Sequence, residues 1–250
     1  MAETSIFPIP QDVRKMFIEE SRPKEEKKSK NSESFQESIS QFIQFVSHNK
    51  ESSYGILSIC EKFRFQRRRF YDVVNVLEAL GAINRINTDS FTWLGMDKII
   101  TTIDQKIKDN SIDDPSSTLD SLFPQENKIT ISRLTIRFIM CFIALRKQSL
   151  SIQIVAKFLS RSNKRFKTTL CKLYQVVYIL INVGIFEKRT IPSEVTLADV
   201  YYSHWCQNPI SGIQQLANLD KEAPEFIIQR RTVFYTYLPT RTSTYLSDSD

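Results

Sequence analysis

Apolar residues recur at helical spacing in three successive stretches near the start of the chain and then give way to alternation. SESFQESISQFIQFVSHNK places Phe35, Ile39, Phe42, Ile43 and Val46 on one face, and YGILSICEKFRF does the same with Ile56, Ile59, Cys60 and Phe63. The third stretch, RRRFYDVVNVLEAL over 67–80, gathers Phe70, Val73, Val74, Leu77 and Leu80 on one side and Arg68, Tyr71, Asp72 and Asn75 on the other. Gly81 is placed to stop that helix. After it, AINRINTDSFTWLG alternates around Asn87, Thr88 and Asp89, as a β-hairpin would. Three helices followed by a hairpin predict a winged helix.

A comparable order returns in the second half. TISRLTIRFIMCFIALR, SIQIVAKFL and TTLCKLYQVVYILINVG predict three more helices, with SRSNKRFK lengthening the step from second to third, and IFEKR predicts an extended segment. Residues 191–224, with Pro192, Pro209 and Pro224, read as a long irregular insertion, and EFIIQRRTVFYTYLP alternates enough to suggest strands. Thr232–Leu238 is therefore expected to return as the last wing strand. The predicted class is mainly α with small β wings (α+β), arranged as two tandem winged-helix domains. Their expected limits are 33–96 and 129–240, with tails at 1–32 and 241–250 and a linker at 97–128 that opens on Ile99, Ile103 and Ile107 and dissolves into DDPSSTLD.

The polar side of the third helix carries the candidate chemistry. An arginine fork matches guanine O6 and N7 in the major groove, and Asp72, three and four residues from Arg69 and Arg68, is spaced to orient a guanidinium. Arg68, Arg69 and Asn75 are the expected base readers. Arg67, Tyr71, Asp72, Lys62 and Arg64 are expected to support them or to meet the DNA backbone. A net charge of +6 on 250 residues permits a polyanionic partner without requiring one. Five glycines and no Gly-rich loop argue against a phosphate-cradling nucleotide site. Cys60, Cys141, Cys171 and Cys206 are too far apart for a CxxC pair, and His48 and His204 are the only histidines. No cofactor, metal, small-molecule substrate, enzymatic activity or membrane span is expected.

Arg68, Arg69, Tyr71, Asp72, Asn75, Val76 and Leu77 stand at the positions of the motif R-R-x-Y-D-x-x-N-V-L, and Trp93-Leu94-Gly95 resembles its closing W-x-G. The pattern resembles the DNA-binding domain of the E-two-F/DP transcription factors. That resemblance implies that Arg68 and Arg69 contact guanines of a GC-rich core, with Tyr71 supporting them against the backbone. The repeated unit resembles the second domain of the atypical, tandem-domain members, in which one chain supplies both halves of a dimer.

Aligning Tyr174 with Tyr71 puts Cys171 and Lys172 at the arginine positions, Gln175 at the aspartate and Tyr178 at the asparagine. The second unit therefore lacks the bidentate reader. Its Arg161, Lys164, Arg165, Lys167 and Lys172 are suited to phosphate oxygens. The second unit is expected to clamp the backbone and act as a built-in dimerisation partner for the first. Its third helix, apolar nearly all round, should be the more buried of the two. The dimerisation coil, marked box and acidic activation segment of typical E-two-F proteins find no match, which implies a nuclear repressor or competitor in cell-cycle gene control. Two alternatives are a winged-helix protein-interaction module with vestigial DNA binding, and an obligate heterodimer with a DP-like or E-two-F-like partner. KEEKKSK in the first tail is a weak candidate for a nuclear import signal.

Overall fold

The structure is a computed structural model that describes residues 35–49, 53–125, 128–161, 165–207 and 223–237. The predicted tails, including KEEKKSK, and Lys164 lie outside the described residues. The first unit runs α1 (Phe35–His48), β1 (Tyr54–Gly55), α2 (Ile56–Lys62), α3 (Arg67–Ala79), β2 (Ile83–Asn87) and β3 (Ser90–Trp93). Phe42, fully buried, is its aromatic centre, with Phe63, Phe65, Phe70, Phe91 and Trp93 meeting it edge-on. Offset and edge-on ring packing of this kind adds to the area each aromatic side chain removes from water.

The second unit runs α6 (Ile131–Leu145), β4 (Ser149–Ser151), α7 (Ile152–Ser160), α8 (Phe166–Asn182), β5 (Phe186–Lys188) and β6 (Glu194–Leu197). Its repetition of the first unit is detailed. The strand orders, β1-β3-β2 and β4-β6-β5, are the same and all pairings are antiparallel. In both units the first amide of the second helix donates to a wing-turn carbonyl, Ile56 to Asp89 and Ile152 to Ser193, each at 2.8 Å. A tyrosine of the third helix reaches the same turn residue: the Tyr71 hydroxyl donates to Asp89 at 3.0 Å, and Tyr174 bonds the Ser193 hydroxyl at 2.8 Å.

The third helices also end alike. Gly81 and Gly184 take φ of +77° and +78°, which lets Ala82 and Ile185 donate back to Leu77 and Leu180 and satisfies the last carbonyls. Glycine reaches that left-handed conformation without a Cβ clash. At Gly81 a Cβ would also run into Thr102 of the helix that follows the wing.

Three expectations are corrected. The second wing follows IFEKR at once: β6 returns after the turn at 189–193, so residues 191–224 are not one looped-out insertion. The chain then forms α9 (Asp199–Tyr202) and a π-helical turn (Ser203–Gln207). Residues 225–235 form a helix, α10 (Glu225–Tyr235), so Thr232–Tyr235 of the expected wing strand is helical, and Leu238 lies outside the described residues. Finally, the described part of the expected linker, 97–125, is a packed strap. It comprises α4 (Lys98–Asp109), with Ile99, Ile103 and Ile107 buried, and a short α5 (Leu119–Leu122) begun by a Thr118 side-chain cap.

The strap is fastened at both ends. Asp104 of α4 accepts from the Trp205 indole at 3.0 Å and contacts His204 Nε2 at 3.1 Å. Beyond α4, the Arg230 guanidinium of α10 donates to the carbonyls of Ile112, Asp114 and Ser117. Next to it Arg231 donates to Leu145 and Arg146, carbonyls at the C-terminal end of α6, where a cation also meets the negative end of the helix dipole.

The two units share an interface. Helix α3 packs on α6 and α8, and α1 touches α8. Helix α6 therefore buries most of its circumference, including Phe138, Ile139, Met140, Phe142 and Ile143. The expectation for the second third helix agrees with the burial of Leu170, Leu173, Tyr174, Val176, Val177, Ile179 and Leu180.

Candidate nucleic-acid interface

Helix α3 has three sides, where the sequence suggested two. Phe70, Val73, Val74 and Leu77 enter the core of the first unit. Arg69, Asp72, Val76 and Ala79, spaced i, i+3, i+7 and i+10, form a second stripe, on which Val76 is fully buried and Asp72 half-buried. The remaining side holds Arg68, Tyr71 and Asn75.

Arg68 and Arg69 are exposed at the head of the helix. Among the described residues neither hydrogen-bonds or ion-pairs with Asp72, so the expected side-chain clamp is absent in that form. Asp72 acts on them through its charge and position. Burial pushes its carboxyl above the usual aspartate range, while Arg68, Lys172 and Arg69 oppose the shift. The Arg69 guanidinium lies over the Phe35 ring, 5.4 Å from its centroid.

The supporting residues are tied to the wing. Arg67 meets Asp89 at 3.2 Å and the Tyr71 hydroxyl at 3.3 Å, so Arg67, Tyr71 and the hairpin turn form one polar cluster. Hydrogen bonding to Tyr71 and the charge of Asp89 raise the Arg67 pKa further. Asn75 is engaged as well. Its Oδ1 accepts from Arg85 of β2 at 2.8 Å, and Arg85 also pairs with Glu78 at 3.1 Å. Arg85 is a member of this surface that the sequence barely signals. Its only signal was its place in the strand that follows the helix.

The remaining basic candidates fall into different settings. Lys62 places its ammonium 3.5 Å from the Phe45 ring centroid on the outside of α1, and Arg64 is exposed at φ +56°, the left-handed position that ends α2. In the second unit Arg165 and Lys167 are exposed at the start of α8. Lys172 faces inward: its Nζ donates to the Ile129 carbonyl at 2.6 Å, which corrects its assignment to a phosphate clamp. Arg161 is likewise committed, 3.0 Å from Asp120 and stacked over Phe158.

The cysteines are buried or half-buried free thiols, and burial pushes Cys206 up to about 12, which leaves it protonated and unreactive. Among the described residues no group of three or more His, Cys, Asp or Glu is placed to hold a metal, and no helix is long and apolar enough to cross a membrane.

Residues 31–95 match the sequence profile of the E-two-F/DP family winged-helix DNA-binding domain. Over a wider span the chain is 20% identical across 186 residues to the E-two-F transcription factor-like protein E2FF of Arabidopsis thaliana, covering 62% of this chain and 52% of that protein. It is 23% identical across 159 residues to "Transcription factor E2F7" of Danio rerio and 22% across 191 residues to "Transcription factor E2F8" of Homo sapiens, in each case 54% of this chain and 22% of the relative. The chain thus spans about half the length of the plant relative and about a fifth of the vertebrate ones. The match covers α1 through Gly95 and so contains the exposed arginine pair, the wing and the closing Trp93-Leu94-Gly95. Residues 31–95 thus carry the match to the winged-helix DNA-binding domain of the E-two-F/DP family, and the wider chain is similar to E-two-F proteins of plants and vertebrates.

Proposed function

We propose that this chain is a sequence-specific, double-stranded-DNA-binding transcription regulator that acts in the nucleus, with its first unit reading a GC-rich core and its second unit serving as a built-in pairing partner. The observation that carries the proposal is the exposure of Arg68, on the free side of α3, and of Arg69, at the head of the stripe that buries Val76, on a helix anchored along two sides. A recognition helix needs one free side, a rigid mount and a fork-shaped donor, and α3 has all three. The α3 stripe around Val76 is occupied by α6 and α8 of the same chain. That occupancy favours one chain per site over an obligate heterodimer. The second unit's apolar helix is also spent on the first unit, which disfavours a vestigial module kept for docking another protein.

The clamp assigned to the second unit narrows to the head of α8, where Lys167 is the favoured phosphate contact. Light scattering on a duplex with a GC-rich core should find one chain per duplex; a complex that forms only on addition of a second, DP-like chain would overturn the built-in pairing. In gel shifts, Lys167→Ala should weaken binding to every sequence alike and reduce the salt slope by about one.

We extend the reading to a repressor or competitor that occupies the site through its first unit. Expression of the chain should lower output from a reporter carrying the site, and strong autonomous activation would contradict this.

A further inference from the structure

The second recognition helix repeats the first so closely that its residues can be paired one for one. At two of the positions equivalent to the readers, its side chains are turned to contacts within the protein. Tyr178, the counterpart of Asn75, stacks on Phe35 with ring centroids 5.8 Å apart and planes inclined by 16°. Phe35 is the same ring over which the Arg69 guanidinium lies, and it is held edge-on by Phe65 at 5.7 Å. Lys172, the counterpart of Arg69, is pinned to the Ile129 carbonyl, and its charge acts on Asp72.

We propose that the second helix has exchanged reading for positioning: Tyr178, through Phe35, holds the Arg69 guanidinium in the pose from which it meets a base, so that discrimination by the first unit depends on a side chain of the second. Arginine has four side-chain torsions, and a planar cation already laid against a fixed ring loses less freedom when it docks on a guanine edge. Phe35 is only half-buried at the first residue of α1 and needs a lateral support, which the Tyr178 ring supplies from across the interface. This assignment makes Tyr178 a positioning residue with no direct role in DNA contact. It also explains why a ring stands where the first unit has an amide.

The proposal rests on Arg69 being a base reader, so its test must separate the two. Competition binding with the full chain would use a short duplex carrying a GC-rich core and the same duplex with each core G·C pair replaced in turn by A·T. Tyr178→Phe keeps the ring and should keep the affinity ratio between core and replaced duplexes. Tyr178→Leu fills the space without a ring and should lower that ratio by about threefold to fivefold, as expected for loss of a partly exposed cation–π arrangement. The loss should fall at the base pair whose preference Arg69→Ala erases, with affinity for an unrelated duplex held within about twofold, because the phosphate contacts are unchanged. Adding Tyr178→Leu to Arg69→Ala should change the ratio no further.

A Tyr178→Leu protein that weakens on all duplexes equally, or that keeps the wild-type ratio, overturns the positioning role while leaving Arg69 a reader. A wild-type chain with no base preference overturns the reading of Arg69 and the positioning role together.

Discussion

Arg68→Ala and Arg69→Ala should each cost about 1–3 kcal/mol of discrimination at a core G·C pair, roughly a fivefold to more than hundredfold loss, with the double variant close to non-specific binding. The size follows from what each guanidinium offers. Both stand exposed at the head of α3, on a helix fixed by two buried stripes, so a bidentate contact to guanine O6 and N7 needs little further ordering of the backbone. Truncation removes both donors at once and leaves the guanine edge unpaired in a dry interface.

Arg67→Ala supplies the internal contrast. Its side chain is committed to Asp89 and Tyr71 at the surface, a kind of pair that contributes little once water screens it, and its loss should leave base preference nearly intact. Equilibrium binding to core and single-replacement duplexes at fixed salt checks all three. Equal losses for Arg67, Arg68 and Arg69 on every sequence would mean that the arginines act only as phosphate charges.

The largest effect on stability should come from Arg230→Ala, which is expected to lose about 2–4 kcal/mol in urea unfolding. Arg230 is 3% exposed, and its guanidinium donates to Ile112 at 2.8 Å, Asp114 at 2.9 Å and Ser117 at 2.8 and 3.1 Å, with Ala144 at 3.5 Å. Burial lowers its pKa, yet an arginine remains charged across the accessible range, so every one of these bonds is charge-assisted. Removing the fork strands the carbonyls of the strap and frees α10. Arg230→Lys should recover little, because a single ammonium cannot span carbonyls contributed by several residues in a plane. An Arg230→Ala midpoint equal to that of the native chain would show that the strap holds itself.

The helix carrying the arginines and its hairpin were legible because each is amphipathic on its own: the apolar face of α3, the stop at Gly81 and the alternation to Trp93 depend on near neighbours. The second stripe of α3 was not legible. Its one large apolar member, Val76, sits among Arg69, Asp72 and Ala79, and its burial is set by helices more than fifty residues away. The same cause hid the real settings of Lys172 and Asn75, whose partners are Ile129 and Arg85. A basic or amide side chain reads as a ligand contact until its distant partner is known.

The C-terminal helix resembles a strand in sequence for a related reason. Its buried side is Ile227, Arg230 and Phe234, spaced i, i+3 and i+7, and an arginine in the middle of the face breaks the apolar period. The β-branched and aromatic run TVFYTY then imitates a strand. Taking that run for the returning strand displaced the second wing, whose true strands, Phe186–Lys188 and Glu194–Leu197, are too short to show alternation. The strap resembles a loose linker in sequence because what orders DDPSSTLD is Arg230, over a hundred residues further along.

Selection of bound sequences from a randomised duplex pool, with the full chain alone, tests the central claim most directly. One chain that reads with α3 and pairs with its own second unit should enrich a single GC-rich half-site flanked by unselected positions. Enrichment of two equivalent cores would show that the second helix reads bases after all, and no enrichment would show that Arg68 and Arg69 do not read them.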